Sequence, residues 1–212
     1  MGKESLSINE VRDMMIAVAD KIIEAEPILT DADRALGDGD HGVGMERGMN
    51  AVKEALAGQE FPGVGKVFIA VGTAMMSSMG GASGALFGTL FRSGGKAIGD
   101  AQTLSGSELA IILKEGTDGV MARGDAKPGD KTMVDALFPA AEKAKEVAGL
   151  PVSEALTAVA DSAAAGRDAS EGMIATKGRA KTLGENSLGK PDAGAVSVAI
   201  IAATMRDYAA SL

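Results

Sequence analysis

The chain contains no cysteine and no tryptophan among its 212 residues, and aromatic residues make up only 3% of it. Without cysteine there is no disulfide frame, no thiolate metal site and no thiol nucleophile. The single histidine, His41, excludes a His-rich zinc centre. A Ser-His-Asp triad is formally allowed, but no other feature supports it. With so few rings, the core must be built from Ala, Leu, Ile, Val and 12 Met, a set that favours helices apart from its β-branched members. Positive charge is also scarce. The net charge of -8 argues against a nucleic-acid or anionic-membrane surface, since both need clustered Lys and Arg. The N-terminus, MGKESLSINEVRDMM, has no apolar core of a signal peptide, so a cytoplasmic protein is expected.

What is present is a chain long enough for one domain, 1–212, with a sizeable core. Val67 to Phe91 carries no charge and imitates a membrane span. Glycines 72, 80, 81, 84 and 88 interrupt it, together with Ser and Thr, so it reads as two buried helices around a Gly-rich turn. Ser7 is a cap for a first helix from about Ile8 to Glu26, with Val11, Met14, Met15, Val18, Ile22 and Ile23 on one stripe; Pro27 begins its exit. A second helix spans His41 to Ala57, with Val43, Met49, Val52 and Leu56 inward. Two apolar helices follow at about 65–78 and 83–95, then a fifth capped by Ser105. A sixth runs from about Lys131 to Ala148, a seventh reaches Ser170, and an eighth opens at Pro191 or Asp192 and ends near Tyr208. The stretch 172–190 is irregular. No run alternates convincingly with period two. Eight helices with short links predict an all-α fold, an antiparallel eight-helix barrel or bundle.

The most informative stretch is RALGDGDHG, Arg34 to Gly42. Its glycines match G-x-G-x-x-G, yet no strand precedes them, so the match to a dinucleotide fingerprint reads as accidental. Asp33, Asp38 and Asp40 lie five and two residues apart, in what reads as a loop entering a helix. Glycines let such a backbone fold tightly enough for three carboxylates to converge. Converged carboxylates repel one another unless a cation compensates. Mg²⁺ does this with oxygen ligands, and phosphates usually complete its shell. The helix N-terminus beyond the loop offers N–H donors to anions. The calcium-loop frame fails, because Ala35 and Gly37 stand where acidic ligands are required. A solvated Asp/Gly turn remains an equal alternative on spacing alone.

Other segments carry weaker signals. GGASGA, Gly80 to Ala85, suits either close helix packing, the better reading by itself, or a phosphate cradle that includes the Ser83 hydroxyl. In RGDAKPGDKTMVD, Arg123 to Asp135, Asp130 and Thr132 serve as caps, or Lys127 and Lys131 meet phosphate. Arg179 is placed to clamp phosphate, and Asp192 to cap the last helix. Met14, Met15, Met75, Met76 and Met79 read as core.

Four blocks, LTDADRALGDGDHGVGMERG, GGASGALFG, RGDAKPGDKTM and KGRAKTLGENSLGKPDAGAVS, occur in the order seen in the nucleotide-binding L subunits of dihydroxyacetone kinases, the DhaL family. The chain resembles that family from about Ile8 to Tyr208. The resemblance implies an eight-helix barrel with the nucleotide at one end. It implies that Asp33, Asp38 and Asp40 hold two Mg²⁺ ions bridging the nucleotide phosphates. Nucleotide contacts would fall on His41, Gly42, Val43, Gly44, Ala82, Ser83, Gly124, Met133, Arg179, Asp192, Ala193 and Gly194, with Met133 facing adenine. Arg179 and the three aspartates would carry phosphoryl transfer. The partner would be a separate K subunit holding dihydroxyacetone on a histidine. ADP would be a resident cofactor recharged by a phosphohistidine carrier of the phosphotransferase system, or ATP an exchangeable cosubstrate. A homodimer is left open, and neither nucleic acid nor membrane is expected as a partner. One departure stands out: the family often has G-H-x-D-P-G-A where this chain has GKPDAGA, with Lys190 in place of the His. The rivals are a subunit of another ketose (erythrulose-type) kinase, the nucleotide domain of a fatty-acid kinase, and a nucleotide-sensing regulator.

Overall fold

The computed structural model describes residues 2–212. Nine α-helices make up most of the described chain: α1 (Ile8–Glu24), α2 (Glu26–Arg34), α3 (His41–Leu56), α4 (Val64–Ser78), α5 (Gly81–Ile98), α6 (Gly106–Gly124), α7 (Val134–Glu146), α8 (Val152–Ala169) and α9 (Ala193–Ala210). Local chemistry explains several of the ends. Ser7 and Ser105 each form a capping box, with Glu10 and Glu108 three residues on. Asp192 caps α9 by accepting from the Ala195 N–H.

Helices α1, α3, α4, α5, α6, α7, α8 and α9 pack each on the next, and α9 returns to α1, so the eight form a closed ring. The expected all-α eight-helix barrel is therefore correct, with one helix more than expected. The ninth, α2, packs on α3 and α9 at one end. Because the ring helices alternate in direction, the N-termini of α3, α5, α7 and α9 share that end with the C-termini of α1, α4, α6 and α8. The barrel interior is a continuous apolar core that includes Met14, Met15, Met45, Met49, Met75 and Phe68. Among the methionines expected there, Met76 is half-buried and lies under Arg92 instead.

The charge-free stretch resolves as α4 and α5, broken at Met79 and Gly80. Glycine lets these two helices touch backbone to backbone: a Cβ on Gly72 would lie 2.6 Å from the Gly88 carbonyl oxygen. Among the described residues no helix is long and apolar enough to cross a membrane.

Several expectations need correction. Pro27 does not end a helix; it occupies the first turn of α2, where its missing N–H has no partner to lose. Asp33 is thus in the last turn of a helix rather than in a loop. The sixth expected helix starts at Val134, not Lys131, because Lys131 has a left-handed backbone (φ 60°). A short antiparallel pair, Leu6–Ser7 with Thr103–Leu104, was not expected; it ties the N-terminus to the α5–α6 link. The 172–190 stretch is irregular as expected, with 3₁₀ turns at Ser170–Gly172 and Arg179–Ser187.

Candidate functional site

The shared end of the barrel opens into a cavity of about 830 Å³. Its lining comes from the α2–α3 junction, the α4–α5 turn, the end of α6, the start of α7, the 177–180 segment and the start of α9. Of the site residues expected from sequence, Asp33, Asp38, Asp40, His41, Val43, Gly44, Ala82, Ser83, Gly124, Met133, Arg179, Asp192, Ala193 and Gly194 all line this cavity. Gly42 does not. Its Cα faces α2, where an added Cβ would overlap Thr30 Oγ1 and lie 2.7 Å from the Thr30 nitrogen. Gly42 therefore lets α2 seat directly on α3.

The three aspartates converge. Each offers a carboxylate oxygen, and these oxygens lie within 4.8 Å of one another. Asp33 is oriented by the His41 backbone N–H, which donates to its Oδ2 at 3.2 Å. Gly37 is required beside it, because a Cβ there would sit 2.7 Å from Asp33 Oδ1. Arg179 reaches back from the 3₁₀ segment to form an ion pair with Asp38. A cluster of three oxygen-bearing anions with one exposed cation at its edge suits a hard divalent ion such as Mg²⁺.

Two helix starts adjoin this cluster. The N-cap residues of α3 and α5 supply no side-chain bond; the His41 N–H at the start of α3 is taken by Asp33, and the first-turn N–H groups of α5 have no side-chain partner. Gly80 and Gly81, both with positive φ (75° and 62°), turn the chain into α5. GGASGA thus combines the two readings open for it: Gly84 packs closely on Met79 while Gly80 to Ser83 line the cavity. An apolar part of the wall is formed by Leu86, Phe87, Val120 and Met133.

His41 is a cross-link rather than a free base. It is 7% exposed, its Nδ1 lies 3.3 Å from Ser83 Oγ and its Nε2 2.8 Å from Ser197 Oγ. Burial lowers its pKa from the ordinary histidine value, against the pull of Asp33 and Asp40. Asp192 lies among buried groups; burial pushes its pKa up to about 7, with the charge of Asp135 adding to the rise.

The two lysines considered for phosphate do something else. Lys131 is 2% exposed, and its ammonium donates to the carbonyls of Ser170 (2.7 Å), Met173 (3.1 Å) and Lys190 (2.6 Å). It staples the end of α8 and the loop before α9 to the α7 entry. Lys127 lines a separate, smaller hollow with Asp125 and Lys177. The capping position of α7 is Met133, which supplies no side-chain bond; Thr132, one residue earlier, accepts from the Val134 N–H, while Asp130 binds the Lys127 N–H and the Thr176 hydroxyl. Val43, expected inward, is 50% exposed at the cavity lip, because the helical stripe there meets an opening instead of a neighbour.

Sequence reasoning missed the apolar wall of Leu86, Phe87 and Val120, and with it four polar or charged residues. Arg47 and Arg123 line the cavity, and Arg47 also donates to the Met79 carbonyl at 2.5 Å. Asp135 accepts from the Gly129 and Thr132 N–H groups at 2.6 and 2.7 Å and so shapes the turn into α7. Ser197 is wholly buried against His41. Their one signal was position: each lies at or just beyond the edge of a motif.

A closed helical barrel with a carboxylate cluster and helix N-termini at one end is the architecture of a DAK2-type domain. Residues 35–207 match the family model described as "DAK2 domain", and the chain belongs to that family. It is 39% identical over 199 residues to the PEP-dependent dihydroxyacetone kinase, ADP-binding subunit DhaL, of Escherichia coli, covering 92% of this chain and 93% of that one. It is 36% identical over 205 residues to the PTS-dependent dihydroxyacetone kinase, ADP-binding subunit DhaL, of Lactococcus lactis, covering 97% and 100%. D-erythrulose kinase of Mycolicibacterium smegmatis is 38% identical over 195 residues, but there the match covers 90% of this chain and 34% of the relative. The dihydroxyacetone kinase of C. freundii in complex with AMP-PNP and Mg²⁺ superposes with a TM-score of 0.72 at 26% identity, over 93% of this chain and 33% of that one.

Proposed function

We propose that the chain, as one domain over 1–212, is the nucleotide-binding subunit of a dihydroxyacetone kinase, a phosphotransferase that acts with a separate ketose-holding K subunit. The observation that carries this is the convergence of Asp33, Asp38 and Asp40 beside the start of α3 and the uncapped start of α5. Relatives named as ADP-binding subunits, matched over nearly their whole length, support it. The donor set suits Mg²⁺, and two ions between these carboxylates and a nucleotide are the preferred stoichiometry. When bound, Mg²⁺ supplies the charge neutralisation that lets phosphate oxygens approach carboxylates.

The chain's own residues do the rest by positioning, which is what phosphoryl transfer chiefly needs. First-turn N–H groups of α5, and those of α3 beyond His41, receive phosphate oxygens. Arg179, already at the carboxylate cluster, brings a guanidinium to the charge that develops on the moving phosphoryl group. Leu86, Val120 and Met133 shelter the base. No side chain here is set up as a nucleophile; the lone imidazole is tied on both sides. The acceptor hydroxyl must therefore arrive with the partner, in a cytoplasmic complex.

The donor is read as resident ADP recharged by a phosphohistidine carrier, since the relatives are named PEP- and PTS-dependent. A second reading has one specific support, the 38% identity to D-erythrulose kinase. In it the same half-site serves a different ketose, chosen by the partner.

The test is to denature the purified protein and identify any released nucleotide by chromatography, then to titrate emptied protein with Mg·ADP and Mg·ATP. About one ADP per chain supports the resident cofactor. An empty protein that binds Mg·ATP supports an exchangeable cosubstrate. Binding of neither overturns the proposal. Alone, the chain is expected not to phosphorylate dihydroxyacetone; turnover without a partner would refute the division of labour.

A further inference from the structure

A hydrogen-bond chain, buried at Ser197 and His41 and half-buried at Ser83, crosses three helices beside the cavity. Ser197, on α9, has no exposed surface. Its hydroxyl lies 3.1 Å from the Ala193 carbonyl oxygen one turn back and 2.8 Å from His41 Nε2 on α3. On the other side of the ring, Nδ1 lies 3.3 Å from Ser83 Oγ at the start of α5. Phe87 packs against the ring with centroids 6.2 Å apart.

Counting protons orders this chain. A serine hydroxyl has one proton, and within a helix it commonly goes to the carbonyl four residues back. Ser197 donates to Ala193 in that way, so its oxygen is left as an acceptor towards His41. Nε2 must then carry the ring proton. In a neutral imidazole the other nitrogen is an acceptor, so Nδ1 takes the Ser83 hydroxyl proton.

We propose that Ser197 is a positioning residue of this site, which sets the tautomer of His41 and through it turns the Ser83 hydroxyl proton away from the cavity. Ser83 then presents oxygen lone pairs to the ligand, while the backbone N–H groups of the α5 start receive anions. The group that Ser83 accepts from is a donor, either a sugar hydroxyl or a cation-bound water, and not a bare phosphate oxygen. The inference rests on the nucleotide-site reading for its ligand but not for its tautomer, and the two parts are tested separately.

His41 is the only histidine, so its ring nitrogens are identified in the ¹⁵N spectrum without assignment. In nucleotide-free protein at fixed pH, the expected result is a protonated Nε2 and an unprotonated Nδ1, with the pattern lost in Ser197→Ala and kept in Ser83→Ala. A protonated Nδ1 in the wild type overturns the proposal whatever the protein binds. The second measurement is a double-mutant cycle on Mg·ADP affinity. Ser197→Ala is expected to weaken binding on the order of fivefold, the net worth of one hydrogen bond. In the Ser83→Ala background that loss should vanish, because Ser197 acts through Ser83. Equal losses in both backgrounds would mark Ser197 as structural packing and refute the relay. If no variant or wild type binds nucleotide, the functional reading fails while the spectrum still decides the tautomer.

Discussion

Gly42 and Gly44 lie two residues apart in the first turn of α3, and the structure assigns them opposite tasks. Replacing Gly42 with Ala drives a methyl into α2, overlapping Thr30 Oγ1 and the Glu26 carbonyl oxygen and 2.7 Å from the Thr30 nitrogen. Two of the obstacles are backbone atoms, so no rotamer change relieves them, and α2 must move. Overpacking of this kind costs about 1–3 kcal/mol. At this chain length each kcal/mol is worth about 2–4 °C of melting temperature. Gly42→Ala should therefore melt several degrees below wild type even after the helix-propensity gain of alanine. Since α2 carries Asp33, the shift also separates the carboxylates, and the stabilisation conferred by Mg·ADP should shrink. Gly44→Ala meets no atom within 4 Å, and Gly44 lines the cavity. It should gain up to about 1 kcal/mol from helix propensity. It also places a methyl where ligand belongs, so Mg·ADP should bind more weakly. Thermal melts of both variants with and without Mg·ADP separate the cases. A Gly42→Ala protein with the wild-type melting temperature and an undiminished ligand response would refute the packing argument.

Three further outcomes are expected. Asp38→Asn or Asp40→Asn should abolish Mg-dependent nucleotide binding by calorimetry; normal affinity would sink the metal assignment. Lys131→Met strands three carbonyls in a buried place and should cost at least about 2 kcal/mol in denaturant melts, whereas Lys127→Met should be near neutral. Asp192 has a carboxyl pKa raised to about 7, so folding takes up a proton there. The stability it contributes is full below its ordinary value of 3.8 and is lost as pH rises through 7. Asp192→Asn keeps an N-cap and removes this slope, so the variant should gain on wild type between pH 4 and 7; parallel pH–stability curves would contradict the assignment.

Much of the helical architecture was legible because its signals are local. Ser7 with Glu10, and Ser105 with Glu108, announce helix starts within four residues. The break at Gly80 separates what composition alone would merge into one apolar span. Pro27 misled because proline both ends and begins helices, and the choice depends on whether the residues after it can form a helix of their own. Val43 misled because a helical period shows which residues share a face, not whether that face meets protein or an opening. The carboxylate trio was legible in its spacing and its glycines, and of the residues that the resemblance to a known family named, all but Gly42 line the cavity.

The sequence by itself determined most of the helices, their caps and the acidic cluster, since each depends on residues close together in the chain. Only the tertiary structure decided that Lys131 is a staple whose three acceptors lie 39 to 59 positions away. It alone joined His41 to Ser83 and Ser197 across 42 and 156 positions. The reason is physical: a hydrogen bond between distant helices leaves no periodicity in either, and it exists once closure of the barrel brings alternate helix ends to one place.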